Sequence, residues 1–247
     1  MENPAYIALS RQMVLSRQLD IIANNLANVN TGSYKREDLA FVEYLVRPDK
    51  AGNPTFTRPD GRVSMVQDLG MVRDTRQGPM VQTDAPMDLA IHGDGYFVVD
   101  TPEGPRYTRG GRFQVDANSQ LVTSEGHPVQ GTNGPIFVPP DDGDVKIARD
   151  GTISTLGGQI GRVQLVRFAD ESSLKHTGSG LYVATEAPEP ALESEVIQGM
   201  VEESNVQPVV ELTEMIAVLR NFQAAQKMVD AHDDMTRRVI NSVIPSS

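Results

Sequence analysis

Residues 15–29 read LSRQLDIIANNLANV, and the spacing of their apolar side chains predicts a helix. These side chains recur at intervals of 4, 3, 4 and 3 residues, which is the heptad repeat of a coiled-coil helix. They are Leu15, Leu19, Ile22, Leu26 and Val29. The repeat stops before Asn30-Thr31-Gly32-Ser33, a stretch in which glycine readily ends a helix. We therefore predict an N-terminal helical segment over residues 1–32.

A second heptad repeat occupies the other end of the chain. Its apolar or small positions alternate at intervals of 3 and 4, and Pro245 is expected to end the helix. The members are Met215, Val218, Phe222, Ala225, Val229, His232, Thr236, Val239 and Val243. We assign residues 199–247 to a C-terminal helical segment. Since a lone helix cannot bury such a seam, each terminal seam is the nearest candidate partner for the other.

The terminal helices admit two arrangements. In the first, both helices pack on the middle of the chain as in an ordinary α+β domain. In the second, they form a coiled-coil module that packs against other copies of the chain. Apolar residues outside the seam, such as Ile216, Leu219 and Met228, broaden the apolar surface. A helix that is apolar on more than one face is expected to contact several neighbours. The sequence pattern alone leaves both arrangements open.

The middle of the chain has a different composition, rich in glycine and proline. Short apolar runs alternate with turn residues over residues 84–198, which predicts antiparallel β hairpins in a β-rich domain. Residues 33–83 contain Pro48, Pro54 and Pro59, and we predict an extended connector with a short helix around Glu37–Val46. The expected fold class is therefore α+β, with a helix at each end and a mainly antiparallel β middle.

Composition excludes several classes of protein. The 247 residues contain 22 Lys and Arg against 33 Asp and Glu, giving a net charge of −11, so general nucleic-acid binding is not expected. With no cysteine, the chain forms no disulfide, thiolate metal site or cysteine nucleophile. No apolar run approaches the roughly 20 residues of a membrane helix, so no membrane span is expected. Neither is a cleavable secretory signal, because Arg11, Arg17 and Asp20 interrupt the apolar stretch.

No catalytic, metal or cofactor residues are predicted. Gly93-Asp94-Gly95 lacks the lysine and following helix of a phosphate loop and is expected to be a turn. The four histidines show no paired metal spacing. An enzyme that cuts peptidoglycan is an alternative, but it needs two carboxylates across a cleft and the sequence selects no pair. A β-rich binding module of the adhesin or lectin kind is a further alternative.

Motifs in several parts of the chain resemble those of one family, the flagellar axial proteins. Their order along the chain is also that of the family, which comprises rod, hook and hook-associated subunits. The matching segments are Ala23–Arg36, Gly78–Thr83, Asp88–Phe97, Tyr107–Phe113 with Leu121–Thr123 and Gly126, and Gly199–Val206 with Val209–Thr213. The opening residues, Met1-Glu2-Asn3 and Tyr6–Ser10, are most similar to proximal-rod subunits, and distal-rod subunits are the alternative.

This resemblance implies a structural subunit of the flagellar basal-body rod, without cofactors. It implies that the terminal helices form an inner coiled-coil domain and the β domain an outer layer. The implied partners are other rod subunits and the flagellar type III export apparatus, which requires no cleaved signal. The subunit would be made in the cytoplasm and reside in the rod that spans the periplasm. The residues assigned to the assembly interface are Leu15, Leu19, Ile22, Asn24, Asn25, Leu26, Asn28, Met215, Val218, Phe222, Val229 and Val239.

Two details of the N-terminal motif carry separate expectations. Asn24, Asn25 and Asn28 are poor helix formers, so they are expected to bond to backbone or to neighbouring subunits, or else to fray the helix end. The family commonly has Thr, any residue, Gly and then an aromatic residue. In Thr31-Gly32-Ser33-Tyr34 the glycine comes one position early.

Overall fold

The computed structural model describes residues 3–46, 63–139 and 144–243. Two helices bracket a series of short strands. The helices are α1 (Asn3–Ala27) and α2 (Pro208–Val243). The strands are β1 (Glu37–Val46), β2 (Val63–Arg73), β3 (Met80–Gln82), β4 (Leu89–His92), β5 (Tyr96–Thr101), β6 (Gly104–Thr108), β7 (Phe113–Val115), β8 (Leu121–Thr123), β9 (Gln130–Gly131), β10 (Gly134–Pro135), β11 (Lys146–Ile147), β12 (Thr152–Thr155), β13 (Gly158–Arg162), β14 (Leu165–Arg167), β15 (Lys175–Gly178), β16 (Leu181–Val183), β17 (Glu189–Pro190), β18 (Glu195–Gln198) and β19 (Met200–Glu202). All pairings are antiparallel, so the α+β prediction is confirmed.

The chain divides into two compact units. The helical unit comprises Met1–Ala27, Glu37–Asp74 and Gln207–Ser247. The β body comprises Asn28–Arg36 and Thr75–Val206. The chain therefore passes between the units after Ala27, Arg36, Asp74 and Val206.

In the helical unit, the two predicted seams pack against each other. Leu15 and Ile22 of α1 form a buried cluster with Val218 and Ala225 of α2, and three half-buried apolar side chains extend it. Those three are Leu19, Met215 and Phe222. Each fully buried aliphatic side chain of this kind contributes about 1.5–3 kcal/mol. The expectation that the N-terminal seam finds its partner in the same chain is therefore confirmed.

The prediction of a short helix around Glu37–Val46 is wrong, because these residues form strand β1. The segment contains Phe41, Val42, Tyr44 and Val46, and aromatic and β-branched residues favour a pleated strand when a partner is available. The partner is β2, which pairs with β1 from Glu37 opposite Arg73 to Val46 opposite Val63. Residues 47–62, with the three prolines of the expected connector, lie outside the described residues.

The β body contains a six-stranded sheet in the order β15-β16-β6-β5-β14-β17. One face of the sheet carries an aromatic cluster in which Tyr96, Tyr107, Phe168 and Tyr182 meet edge to face. A larger aliphatic cluster, centred on Leu89, Phe97 and neighbouring valines and isoleucines, joins the sheet to the smaller hairpins. These two clusters contain most of the buried apolar side chains of the β body.

A close backbone approach holds β4 in the body. The Leu89 N–H donates to the Gly111 carbonyl at 2.9 Å. A Cβ at position 111 would lie 1.5 Å from the Leu89 carbonyl oxygen, so only glycine fits there.

The C-terminal helix begins later than expected. Residues 199–207 were assigned with the helix, but Met200–Glu202 form strand β19, which pairs with β3 of the body. The helix starts at Pro208, where the missing N–H costs nothing, and its first backbone bond runs from the Glu211 N–H to the Gln207 carbonyl. Pro245, predicted to end the helix, lies outside the described residues.

Within the described part of the chain, neither helix is long and apolar enough to cross a membrane.

Candidate assembly site

The predicted interface residues of the two terminal helices differ in their burial. Six of them pack together in the seam: Leu15, Leu19, Ile22, Met215, Val218 and Phe222. Leu26 and Val229 are half-buried. The side chain of Val239 lies outside the described residues. Within one chain, the seam is therefore already occupied.

A second stripe of apolar side chains on α2 faces solvent. Val209, Leu212, Ile216 and Leu219 follow one another at intervals of 3, 4 and 3 residues, and all four are exposed. Val209 is 77% exposed and Ile216 is 53% exposed. We call these four residues the outer stripe. Ile216 and Leu219 each lie one position after a seam residue, Met215 and Val218, so on a helix the outer stripe is rotated by roughly a quarter turn from the seam.

The three asparagines at the end of α1 differ in their surroundings. Asn25 is 1% exposed, whereas Asn24 is exposed and Asn28 is half-buried. The Asn25 side chain accepts from the Glu37 N–H at 3.0 Å and donates to the Glu37 carbonyl at 2.9 Å. Its amide also donates to the buried carboxylate of Glu211 at 3.3 Å. Asn25 therefore ties α1 to both β1 and α2 within the helical unit, which agrees with the expected backbone contact.

Replacing Asn25 with alanine is expected to destabilise the helical unit. The variant removes both partners of the Glu37 backbone, at a cost of about 1–3 kcal/mol for buried polar groups left unpaired. Hydrogen exchange of the Glu37 amide should accelerate by one to two orders of magnitude, roughly 10- to 100-fold for that free energy. Asn24→Ala is the control, because its side chain is exposed and its exchange should stay near wild type. Equal protection in both variants would contradict the assignment.

In the β body, three buried charged side chains meet. The Lys35 Nζ lies 2.6 Å from Glu202 Oε1, and the Arg109 Nε lies 3.0 Å from Glu202 Oε2. The side chains of Lys35, Arg109 and Glu202 are 2%, 4% and 1% exposed. We call these three residues the junction cluster. Their ionic charges sum to +1, in a place where water does not reach them.

Backbone groups complete the bonding of the junction cluster. The Arg109 guanidinium donates to the carbonyls of Gly95 and Gly93, both at 3.0 Å. Glu202 Oε1 also accepts from the Gly78 N–H at 3.0 Å. Lys35 Nζ donates to the Arg76 carbonyl at 2.8 Å. Buried charges are tolerated only when paired and hydrogen-bonded in this way.

The titration of the cluster follows from burial and charge together. Burial alone would raise the pKa of Glu202, but Arg109 and Lys35 lower that pKa below its ordinary value of 4.5. Burial lowers the pKa of Lys35, and Glu202 only partly opposes this effect. Lys35 is therefore held as a cation at an energetic cost, whereas Glu202 is stabilised as an anion.

Ser33 adopts a backbone conformation that is usual for glycine. Its φ of +58° is left-handed, a conformation that glycine adopts easily and other residues adopt at a cost of about 1–2 kcal/mol. In the family pattern the glycine falls at this position. Here the buried Ser33 Oγ donates to the Arg109 carbonyl at 2.8 Å, and the Ser33 N–H donates to the Glu202 carbonyl at 2.9 Å. The serine hydrogen bond offsets the backbone cost.

Two substitutions separate these effects at position 33. Ser33→Ala keeps the left-handed cost and loses the hydroxyl bond, so the body should lose about 1 kcal/mol of stability. Ser33→Gly loses the same bond but relieves the backbone, so its stability should lie within about 1 kcal/mol of wild type. Urea unfolding of the full chain, followed by circular dichroism, measures both. If glycine were the more destabilising of the two, the backbone argument would be wrong.

The junction cluster was not predicted from the sequence, although its three residues lie within motifs already described. Lys35, Arg109 and Glu202 lie inside three of the segments that carry the family resemblance, and Gly78, Gly93 and Gly95 lie inside two more. The signal available in the sequence was that each of these three motifs contains charged residues. The convergence of these motifs on one cluster is a property of the fold and could not be read from their spacing.

Three family models match the chain in order. Residues 6–35 match the model described as flagella basal body rod protein, and residues 90–155 match that of the flagellar hook protein FlgE/F/G D1 domain. Residues 197–242 match that of the flagellar basal body rod FlgEFG protein C-terminal region. The chain belongs to the family of flagellar basal-body rod proteins, which are structural proteins of the basal body and not enzymes.

Within this family, the FlgF proteins lead the similarity. The flagellar basal-body rod protein FlgF of Caulobacter vibrioides is 41% identical over 97% of both chains. FlgF of Mesorhizobium japonicum is 34% identical over 90% of both chains. The FlgG protein of Bacillus subtilis is 34% identical over 96% of this chain and 97% of its own. The FlgF protein of Caulobacter vibrioides thus leads the similarity, while the other FlgF protein and the FlgG protein are equally identical to the chain, at 34%.

Proposed function

We propose that the chain is a subunit of the proximal rod and polymerises through its terminal helices into the shaft that transmits torque across the periplasm. The observation that carries this proposal is the outer stripe. An exposed heptad repeat beside an occupied one gives α2 a second helix-binding face. Other rod subunits, identical or related, are the partners that such a face fits. The 41% identity to the FlgF protein of Caulobacter vibrioides, against 34% to the FlgG protein of Bacillus subtilis, supports the proximal rod over the distal rod.

Assembly in this proposal proceeds from the β body outward. The chain leaves the cytoplasm through the flagellar type III export apparatus without a cleaved signal, and the body then folds. The terminal helices become stable when several neighbouring subunits cover their apolar faces, since about 25 cal/mol per Å² of buried apolar surface offsets the entropy of ordering. Growth is thereby templated by the subunits already in the shaft.

A charge placed on the outer stripe tests this role directly. Ile216→Asp should leave the monomer folded, because residue 216 is exposed, and should abolish incorporation into basal bodies and swimming in soft agar. Asn221→Asp is the matched control: it adds the same charge at an exposed α2 position outside the outer stripe, and cells should swim normally. Normal basal bodies with Ile216→Asp would contradict the stripe as an interface.

The seam variant gives a complementary result. Leu19→Asp disrupts the packing of α1 on α2 and should block incorporation while the β body stays folded. Normal filaments in such cells would show that the seam assignment is wrong.

Electron cryo-microscopy of purified basal bodies distinguishes the two rod positions, because a subunit found in the distal shaft would keep the mechanism and exclude the proximal assignment.

A further inference from the structure

The segments that enter and leave the β body are bonded to one another. They are residues 33–36, which lie between two of the four crossings, residues 75–78 after the third, and residues 202–206 before the fourth. The Asn205 N–H donates to the Tyr34 carbonyl at 3.2 Å, and Asn205 Oδ1 accepts from the Arg36 N–H at 2.7 Å. The Asn205 amide donates to the Arg76 carbonyl at 3.0 Å.

The junction cluster joins the same three segments from inside. Lys35 belongs to the first, the Arg76 carbonyl and Gly78 N–H to the second, and Glu202 to the third. Arg109 adds the turn Gly93-Asp94-Gly95 through two carbonyl bonds. Three of the four points at which the chain passes between the units, those after Arg36, Asp74 and Val206, therefore lie within four residues of Lys35, Gly78 or Glu202.

We propose that the junction cluster is a clamp, with Lys35 as the positioning residue that fixes where the chain enters and leaves the β body. Stability alone does not account for Lys35. Burial disfavours its charge, and Glu202 is already paired with Arg109. Without Lys35 the remaining pair is neutral, and the Arg76 carbonyl keeps the Asn205 amide as a donor. Lys35 instead bonds the first segment to both of the others through a single side-chain atom, Nζ.

The clamp has a mechanical role that rests on the function proposed above. In a rotating shaft, force arriving along either terminal helix would enter the body at one fixed, buried junction. Without Lys35, that force would pass between the three segments through separate bonds such as those of the Asn205 side chain. The clamp as a property of the chain and its role in the shaft can be tested separately.

Spin-label distance measurements on the purified full chain test the clamp. The chain has no cysteine, so cysteines can be introduced in pairs for labelling at three exposed positions. These are Thr31, two residues before the first segment, and Thr75 and Glu203 in the other two. The wild-type background should give one narrow distance for each pair. Lys35→Met should broaden the pairs that include position 31, and the urea midpoint should be unchanged. A control pair within the body, at Gln114 and Lys175, should stay narrow.

Two results would overturn the clamp. If all pairs stay narrow with Lys35→Met, Lys35 does not position the segments. If the control pair broadens as well and the urea midpoint falls, Lys35 is a residue of general stability.

Cells carrying Lys35→Met test the role in the shaft. Basal bodies that contain the variant, rotate a small bead on the hook and lose torque on a large bead support the role. Wild-type torque at every load would overturn the mechanical role, while the proposed function would stand. If even the wild-type chain is absent from basal bodies, the proposed function fails, and the distance measurements still decide whether the clamp exists.

Discussion

Gly111→Ala is expected to unfold most of the β body at moderate urea concentrations. The added Cβ would lie 1.5 Å from the Leu89 carbonyl oxygen and 2.7 Å from its carbonyl carbon, both far inside contact distance. The obstacle is backbone, so no side chain can turn aside. Strand β4 must move, which breaks the bond from the Leu89 N–H to residue 111 and opens the aliphatic cluster around Leu89. The cost should be about 3 kcal/mol or more.

Urea unfolding of the full chain by far-ultraviolet circular dichroism measures this loss, and Gly161→Ala is the control. A Cβ at Gly161 meets no atom within 4 Å, and the residue lies on β13 of the same body. Its stability should therefore stay close to wild type. Similar midpoints for the two variants would mean that the approach of residue 111 to Leu89 is not needed for the fold.

Glu202→Gln should produce the second large effect. The glutamine has nearly the same shape, but it leaves the charges of Lys35 and Arg109 buried without an anion. Breaking a buried ion pair by removing one partner costs about 3–5 kcal/mol. Lys35→Met removes a charge from the same cluster and should cost far less, because the pair that remains is balanced. Glu189→Gln is an exposed control, since its partner Arg167 also faces solvent.

The penalty of Glu202→Gln should depend on pH. The folded-state pKa of Glu202 lies below its ordinary value of 4.5, so its contribution to stability is fully present above pH 4.5. The contribution is lost as the pH falls through the folded-state pKa. The difference in unfolding free energy between wild type and the variant should therefore be constant from pH 7 to about pH 5 and shrink below pH 4.5. A difference that grew on acidification would show that the anion is not the stabilised form.

The sequence predicted the features that depend on local spacing. The seam of Leu15, Leu19 and Ile22 against Val218 and Phe222 was predicted because helical periodicity needs only a few neighbouring residues. Strand β1 was not predicted, because its ladder depends on β2, whose paired residues lie 17 to 36 positions further along the chain, from Val46 opposite Val63 to Glu37 opposite Arg73. The start of α2 was placed early for the same reason, since Met200–Glu202 form a strand only where β3 pairs with them.

The candidate site was predictable in part. The prediction that the asparagines bond to backbone is confirmed for Asn25. The sequence could not show that Asn25, unlike Asn24, faces inward toward the backbone of Glu37. The role of the predicted interface residues in assembly stays a prediction. The junction cluster was out of reach, because Lys35 and Glu202 are separated by 167 positions and no periodic pattern connects them.

That separation has a kinetic consequence. A contact between Lys35 and Glu202 closes almost the whole body into one loop. Folding becomes slower as the average sequence separation between contacting residues rises. Hairpins such as β5–β6 can form early, but the body cannot be completed until the segment before α2 is available. We expect the last step of folding to be this closure, and a chain that closes late stays extended for longer. Under the proposed export of the unfolded chain, slow completion would keep the chain unfolded for longer during transit.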